Sequence, residues 1–193
     1  RILSLPHDWS IEGDFSLDNP STPGGGALPG GIGWYRKTFT LPETDRDKVI
    51  YVDFDGVYRN SEVWINGHSL GFRPNGYVSF RYDLTPYLRY GSQPNVIAVK
   101  ADNSEQPNSR WYSGSGIYRN VWLVKVNPVH VDNWGTFVHD MKISSEEATF
   151  ALEVRIRNSS EADREAEVST SIYDDRNKVV TASVTTLLRV PYT

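Results

Sequence analysis

The residues best equipped for chemistry lie in one short run, Asn108-Ser109-Arg110-Trp111-Tyr112-Ser113-Gly114-Ser115-Gly116. Two flat rings stand beside a guanidinium and a carboxamide, and the small residues that follow demand a turn. Such rings stack on the C–H face of a sugar, and Arg or Asn forks reach its hydroxyls. Neighbouring side chains on an extended segment point to opposite sides, so one of Trp111 and Tyr112 can pack inward while the other faces a ligand. The run lacks the lysine of a phosphate loop.

Other chemistries find less support. Cleaving a glycosidic bond needs two carboxylates flanking it, ~5–5.5 Å apart when configuration is retained. The paired acids here, Asp53 with Asp55 and Asp174 with Asp175, fall on a strand face or a turn and read as solvated surface charge. His7, His68, His130 and His139 match no zinc spacing. The chain has no Cys, which excludes disulfides and thiolate metal sites. Its net charge of −4 suggests neither a nucleic-acid nor a membrane partner, and no apolar run approaches the ~20 residues of a helical span.

The elements that must position the run read as strands. Residues 49–56, 60–65, 77–82, 96–101 and 118–126 alternate apolar and polar side chains, and Asn66-Gly67 is a strong hairpin-turn dipeptide. Residues 83–89 suit a single helical turn, 43–48 a charged loop, and the Gly/Pro-rich stretch 19–33 a surface loop that could border a ligand site. Trp34, Trp64 and Trp122 sit within strands, as core or domain-contact residues. Pro128 interrupts strand pairing. Beyond it, residues 130–139, 148–158, 166–174 and 179–186 read as further strands. The expectation is an all-β chain: a jelly-roll β-sandwich over 1–127, then an immunoglobulin-like β-sandwich over 128–193. That second stretch is shorter than the ~100 residues of a complete sandwich, so an incomplete one is expected.

The order of these blocks resembles a known family. Arg110-Trp111-Tyr112-Ser113-Gly114-Ser115-Gly116-Ile117-Tyr118-Arg119 is similar to a hallmark of the sugar-binding domain of family 2 glycoside hydrolases. So are Leu5-Pro6-His7-Asp8-Trp9, Gly33-Trp34-Tyr35-Arg36, Val63-Trp64-Ile65-Asn66-Gly67, Asn75-Gly76-Tyr77 and Asp102-Asn103, in that order. Within the family the chain looks most like bacterial β-galactosidases. The resemblance implies a non-catalytic part of a retaining enzyme whose two catalytic glutamates come from a (β/α)8 barrel of the same polypeptide, with a β-galactoside or related glycan as ligand. It implies substrate contact by Asn103, Asn108, Arg110, Trp111 and Tyr112. An Asp that some relatives place just before the Trp is missing here, which puts in doubt both its substrate contact and the monovalent cation it helps hold. No cofactor or metal is assigned to this chain; a monovalent or divalent cation and a homo-oligomeric state belong, if anywhere, to the parent enzyme.

Alternatives are a β-glucuronidase- or β-mannosidase-type parent, a stand-alone carbohydrate-binding module, and a scaffold of sandwiches without a sugar role, because fold alone does not imply function. The first residues enter a family block directly, so the chain is expected to be a piece of a longer protein with any signal peptide removed. A periplasmic or extracellular place would follow from such a peptide, a cytoplasmic one from its lack.

Overall fold

The computed structural model describes residues 1–181 and 183–192. The chain forms two compact units, Arg1–Lys125 and Val126–Thr193. All of the regular structure is antiparallel sheet and short 3-10 turns, with no α-helix among the described residues.

Seven strands build the first unit: β1 (Gly31–Phe39), β2 (Val49–Phe54), β3 (Ser61–Ile65), β4 (His68–Arg73), β5 (Phe80–Asp83), β6 (Asn95–Asn103) and β7 (Val121–Val126, its last residue in the second unit). One sheet runs β1-β6-β3-β4 and the other β5-β2-β7. The alternation read from sequence works as expected on β3 and β6. Val63, Ile65, Val99 and Ala101 point inward and meet Val52, Phe54, Val57, Tyr82, Leu84 and Ile117 in one buried cluster. Burying such side chains removes ~1.5–3 kcal/mol each of apolar exposure, the dominant force holding the sheets together. Strand β2 departs from alternation: Tyr51 is buried as well, because the Arg81 guanidinium lies 4.6 Å over its ring while gripping Asp53 with two 2.6 Å bonds.

Asn66-Gly67 makes the β3–β4 turn, with φ of 50° and 87°, the left-handed pair that a two-residue hairpin requires. Asn66 does more than turn the chain. Its side chain donates to the Tyr87 carbonyl (2.7 Å) and to Asn95 Oδ1 (2.9 Å), and accepts from the Val96 amide (2.8 Å). Residues 77–79, expected in a strand, instead belong to a turn: Asn75 Oδ1 accepts from the amides of Tyr77 (2.8 Å) and Val78 (3.3 Å) and bends the chain before β5. The expected helical turn is a 3-10 turn at Thr85–Tyr87, and a second, at Glu43–Asp45, closes part of the charged loop.

The tryptophans of the strands are not core. Trp34 is 62% exposed and stacks on half-buried Trp64 with 5.3 Å between centroids, on the outer face of the larger sheet. Trp122 is also exposed and donates to Asp55 Oδ2 at 3.2 Å. Alternation is the cause: the opposite faces of β1 and β3 supply Tyr35, Val63 and Ile65 to the interior.

The second unit holds β8 (Val129–Ile143) paired with β9 (Ala148–Asn158), and β10 (Arg164–Thr170) paired with β11 (Val184–Val190). Asn158 is fully buried; its Nδ2 donates to the Ala162 and Val190 carbonyls, 2.9 Å each. The fourth strand starts later than read from sequence because Tyr173 bridges Val179 around a turn at 174–177. Large apolar side chains remain exposed on these sheets, among them Phe137, Met141, Ile143, Val184 and Leu187.

Candidate functional site

The Asn108–Gly116 loop leaves the end of β6 and is held by groups that sequence inspection treats as candidates for a ligand. Asn103, the last residue of β6, is 2% exposed. Its Nδ2 donates to the Gly114 carbonyl (3.0 Å) and Ser115 Oγ (2.9 Å), and its Oδ1 accepts from Asn108 Nδ2 (2.6 Å). Asn108 is equally occupied: Nδ2 also reaches the Glu105 carbonyl (3.2 Å), and Oδ1 accepts from Tyr58 (3.3 Å) and Ser113 (3.4 Å) hydroxyls. Both carboxamides therefore spend their bonds inside the protein, where a buried polar group must find partners.

The N-terminal segment fastens the other side of the loop. Asp8 Oδ1 accepts from the amides of Ser10 and Ser115, both 2.9 Å, while Oδ2 accepts the Tyr112 hydroxyl. Partial burial, this hydrogen bond and the Asp8 charge hold the Tyr112 phenol above its usual pKa. Ser10 Oγ continues the chain of bonds, 2.7 Å from Ser115 Oγ and 2.5 Å from the Pro29 carbonyl. His7 and Asp8 do not pair with one another; His7 Nδ1 sits 2.8 Å from the Tyr35 hydroxyl and Nε2 3.3 Å from Glu12. Trp9 packs where Gly33 and Gly116 leave room. At Gly116, with φ of 115°, an added Cβ would lie 2.2 Å from the Tyr35 hydroxyl and 3.0 Å from the Trp9 ring.

What the loop leaves outside is narrower than the five residues read from sequence. Arg110 is exposed and has no hydrogen bond or ion pair among the described residues. Trp111 is 62% exposed and Tyr112 41%. The Gly/Pro-rich stretch borders this surface and is tied down: Ser21 Oγ donates to the Leu28 carbonyl (2.7 Å), and a Cβ on Gly26 would meet the Tyr112 ring at 3.4 Å. A crevice of about 10 Å³, the size of one water, lies between Ser21, Asn103 and Tyr112. A larger open cavity, about 360 Å³, is lined by Arg73, Asn75, Val78, Ser79, Phe80 and Arg81, and by none of the five candidate ligand residues read from sequence. Tyr77, quoted above in the Asn75-Gly76-Tyr77 block but not among the candidate ligand residues, stands exposed beside Trp111; the Trp111 Nε1 donates to its hydroxyl at 3.3 Å, a contact with no signal in the sequence.

Exposed rings, a free guanidinium and a braced loop can stack and hydrogen-bond a glycan. They hold no pair of carboxylates poised for bond cleavage. No group of three or more metal-ligating side chains occurs among the described residues.

Comparison with known proteins agrees with the motif order. Residues 15–127 match the sugar binding domain of the glycosyl hydrolases family 2. The beta-galactosidase BoGH2A of Bacteroides ovatus is 57% identical over 93% of this chain and 21% of its own length. A beta-glucuronidase of Formosa agariphila is 35% identical over 95% of this chain and 21% of its own. A crystal structure of a glycosyl hydrolase family 2 member from Bacteroides cellulosilyticus superposes with a TM-score of 0.92 and 37% identity, covering 98% of this chain and 25% of that one. The chain thus spans about a fifth of the length of these curated relatives. With the sandwich topology, the braced Arg-Trp-Tyr loop and these matches in agreement, the chain belongs to glycosyl hydrolase family 2 and carries that family's sugar-binding domain.

Proposed function

We propose that this chain is a non-catalytic part of a retaining glycoside hydrolase that removes terminal β-galactosides, and that its Arg-Trp-Tyr loop forms part of the substrate entrance. The observation that carries the reading is the contrast within the loop. Asn103, Asn108, Asp8 and Ser115 are consumed in holding it, while Arg110 is left free outside and the rings of Trp111 and Tyr112, each held by a hydrogen bond, are presented outward at little further ordering cost. Arg110 is the residue assigned to direct hydrogen bonding with a sugar hydroxyl; Trp111 and Tyr112 supply ring faces. Asn103 and Asn108 act as positioning residues. The two catalytic carboxylates are assigned to a barrel of the same polypeptide, outside this chain.

We assign 1–127 as the sugar-binding jelly roll and 128–193 as part of an immunoglobulin-like sandwich. Two two-stranded sheets with exposed apolar faces fall short of the ~7 strands that bury one another in such a domain. A β-glucuronidase-type parent is the second reading, supported by the Formosa relative. The test is to assay the full-length protein and this chain alone on aryl β-galactosides and β-glucuronides, following anomeric configuration by NMR. The expected result is turnover of the galactoside by the full-length protein with retention, and none by the chain alone. Turnover by the purified chain, or a full-length protein that prefers glucuronides, overturns the corresponding part of the reading.

A further inference from the structure

Tyr77 and Trp111 are both exposed, 51% and 62%, and each is fixed in place. Tyr77 leaves the Asn75 turn with its ring edge-on to buried Tyr58, 5.3 Å between centroids at 64°. Gly76 makes that approach feasible, since a Cβ there would lie 2.2 Å from the Tyr58 ring. The Tyr118 hydroxyl holds the Gly76 carbonyl at 2.9 Å, and the Tyr58 hydroxyl reaches Asn108 at the base of the Arg-Trp loop. On that loop Ser109 Oγ donates to the Trp111 carbonyl at 2.5 Å, and the Trp111 indole donates to Tyr77. Two loops far apart in sequence are thus cross-braced so that two large rings face solvent. Exposed aromatics held this way lose little side-chain entropy when a ligand stacks on them.

The polar surroundings narrow the ligand. A site that selects one sugar needs several directed hydrogen bonds, because those are what reject a near-isostere. Within the loop the carboxamide of Asn108 and that of neighbouring Asn103 are saturated internally, and Arg110 keeps its donors free among the described residues. Ring area with few directed bonds suits a pyranose whose identity matters little. We propose that Tyr77 and Trp111 form a stacking platform for the leaving-group sugar of a β-linked oligosaccharide, next to the terminal residue that is cleaved. The assignment rests on the entrance reading above, and it adds Tyr77 as a residue that favours oligosaccharides over simple aryl glycosides.

The experiment compares kcat/KM of the full-length enzyme on a β-linked galacto-oligosaccharide and on an aryl β-galactoside, for wild type, Tyr77→Ala, Trp111→Ala and the ring-preserving Tyr77→Phe. Thermal melts establish that each variant is folded. The alanine variants are expected to lose roughly tenfold on the oligosaccharide, mainly through KM, corresponding to about 1.4 kcal/mol. Tyr77→Ala should keep the aryl substrate within about twofold, a spread of a few tenths of a kcal/mol. Tyr77→Phe should resemble wild type. Equal losses on both substrates in folded variants would place the rings on the cleaved sugar and overturn the proposal, as would no loss on either. An enzyme inactive on every β-galactoside sinks the entrance reading instead. The platform is then judged by quenching of tryptophan fluorescence as the same oligosaccharide is added. Quenching that disappears in Tyr77→Ala and Trp111→Ala supports it, and its absence in wild type defeats it.

Discussion

Asn103 and Arg110 carry similar chemistry in the sequence and opposite roles in the fold. Asn103→Ala removes a buried carboxamide, leaves the Gly114 carbonyl without its donor and takes one of two acceptors from Asn108 Nδ2. A loss of about 2–3 kcal/mol in urea unfolding is expected, since unsatisfied buried groups cost ~1–3 kcal/mol. Arg110→Ala should leave stability within ~0.5 kcal/mol, as for other surface changes. In the full-length enzyme it should lower kcat/KM by at least about tenfold, the worth of one charge-assisted bond. Kinetics unchanged by Arg110→Ala would remove the guanidinium from the substrate. The phenols supply a pH test. Tyr35, Tyr58, Tyr82, Tyr90, Tyr112 and Tyr118 are all held above the usual value, burial being the leading cause in each. Above about pH 10 the unfolded chain releases phenolic protons that the folded chain keeps. Their contribution to stability is thus whole below that pH and is lost as pH rises through the folded values. Titration of tyrosinate absorbance should show these groups ionising late and together with unfolding; a single transition near 10 in the folded chain would contradict it.

Among the elements, the β3–β4 hairpin carries the clearest energetics. Asn66→Ala loses the left-handed preference and three hydrogen bonds that tie the turn to Tyr87 and β6, so about 2–3 kcal/mol of destabilisation is expected. Trp64, two residues earlier, stacks on exposed Trp34 rather than filling the core. Trp64→Ala should cost about 1–2 kcal/mol, an aromatic pair plus partial burial, and not the ~3–5 kcal/mol of a core aromatic. Chemical denaturation of both variants distinguishes these values. A loss above ~3 kcal/mol for Trp64 would mean that the ring is more deeply packed than its half-exposed surface indicates.

At the scale of the whole molecule, large apolar side chains of β8, β9 and β11 stand exposed. Exposed patches of this kind mark surfaces that another part of a protein covers. The chain alone should bind the dye ANS through them, and the full-length protein should bind far less per copy of this segment. Comparable fluorescence from both would mean that these faces stay open in the longer protein and would weaken the assignment of an incomplete sandwich.

The sequence by itself determined the fold class and the family. Alternation with a period of two can only bury one face of a strand, Asn-Gly forces a hairpin, and the order of the motif blocks is specific. It also located the loop, because rings and a guanidinium before a glycine-rich turn are a local signal. Only the tertiary structure decided which loop residues are free. Whether Asn103 bonds a ligand or Gly114 and Ser115 depends on where β6 ends relative to the loop, and Asp8 reaches Ser115 across more than a hundred residues of chain. Trp34 and Trp64 were ambiguous for the same reason: alternation says that a side chain shares a face, but the sheet pairing chooses which face is covered. Tyr77 beside Trp111 is a contact between two loops, and no local pattern in either could have announced it.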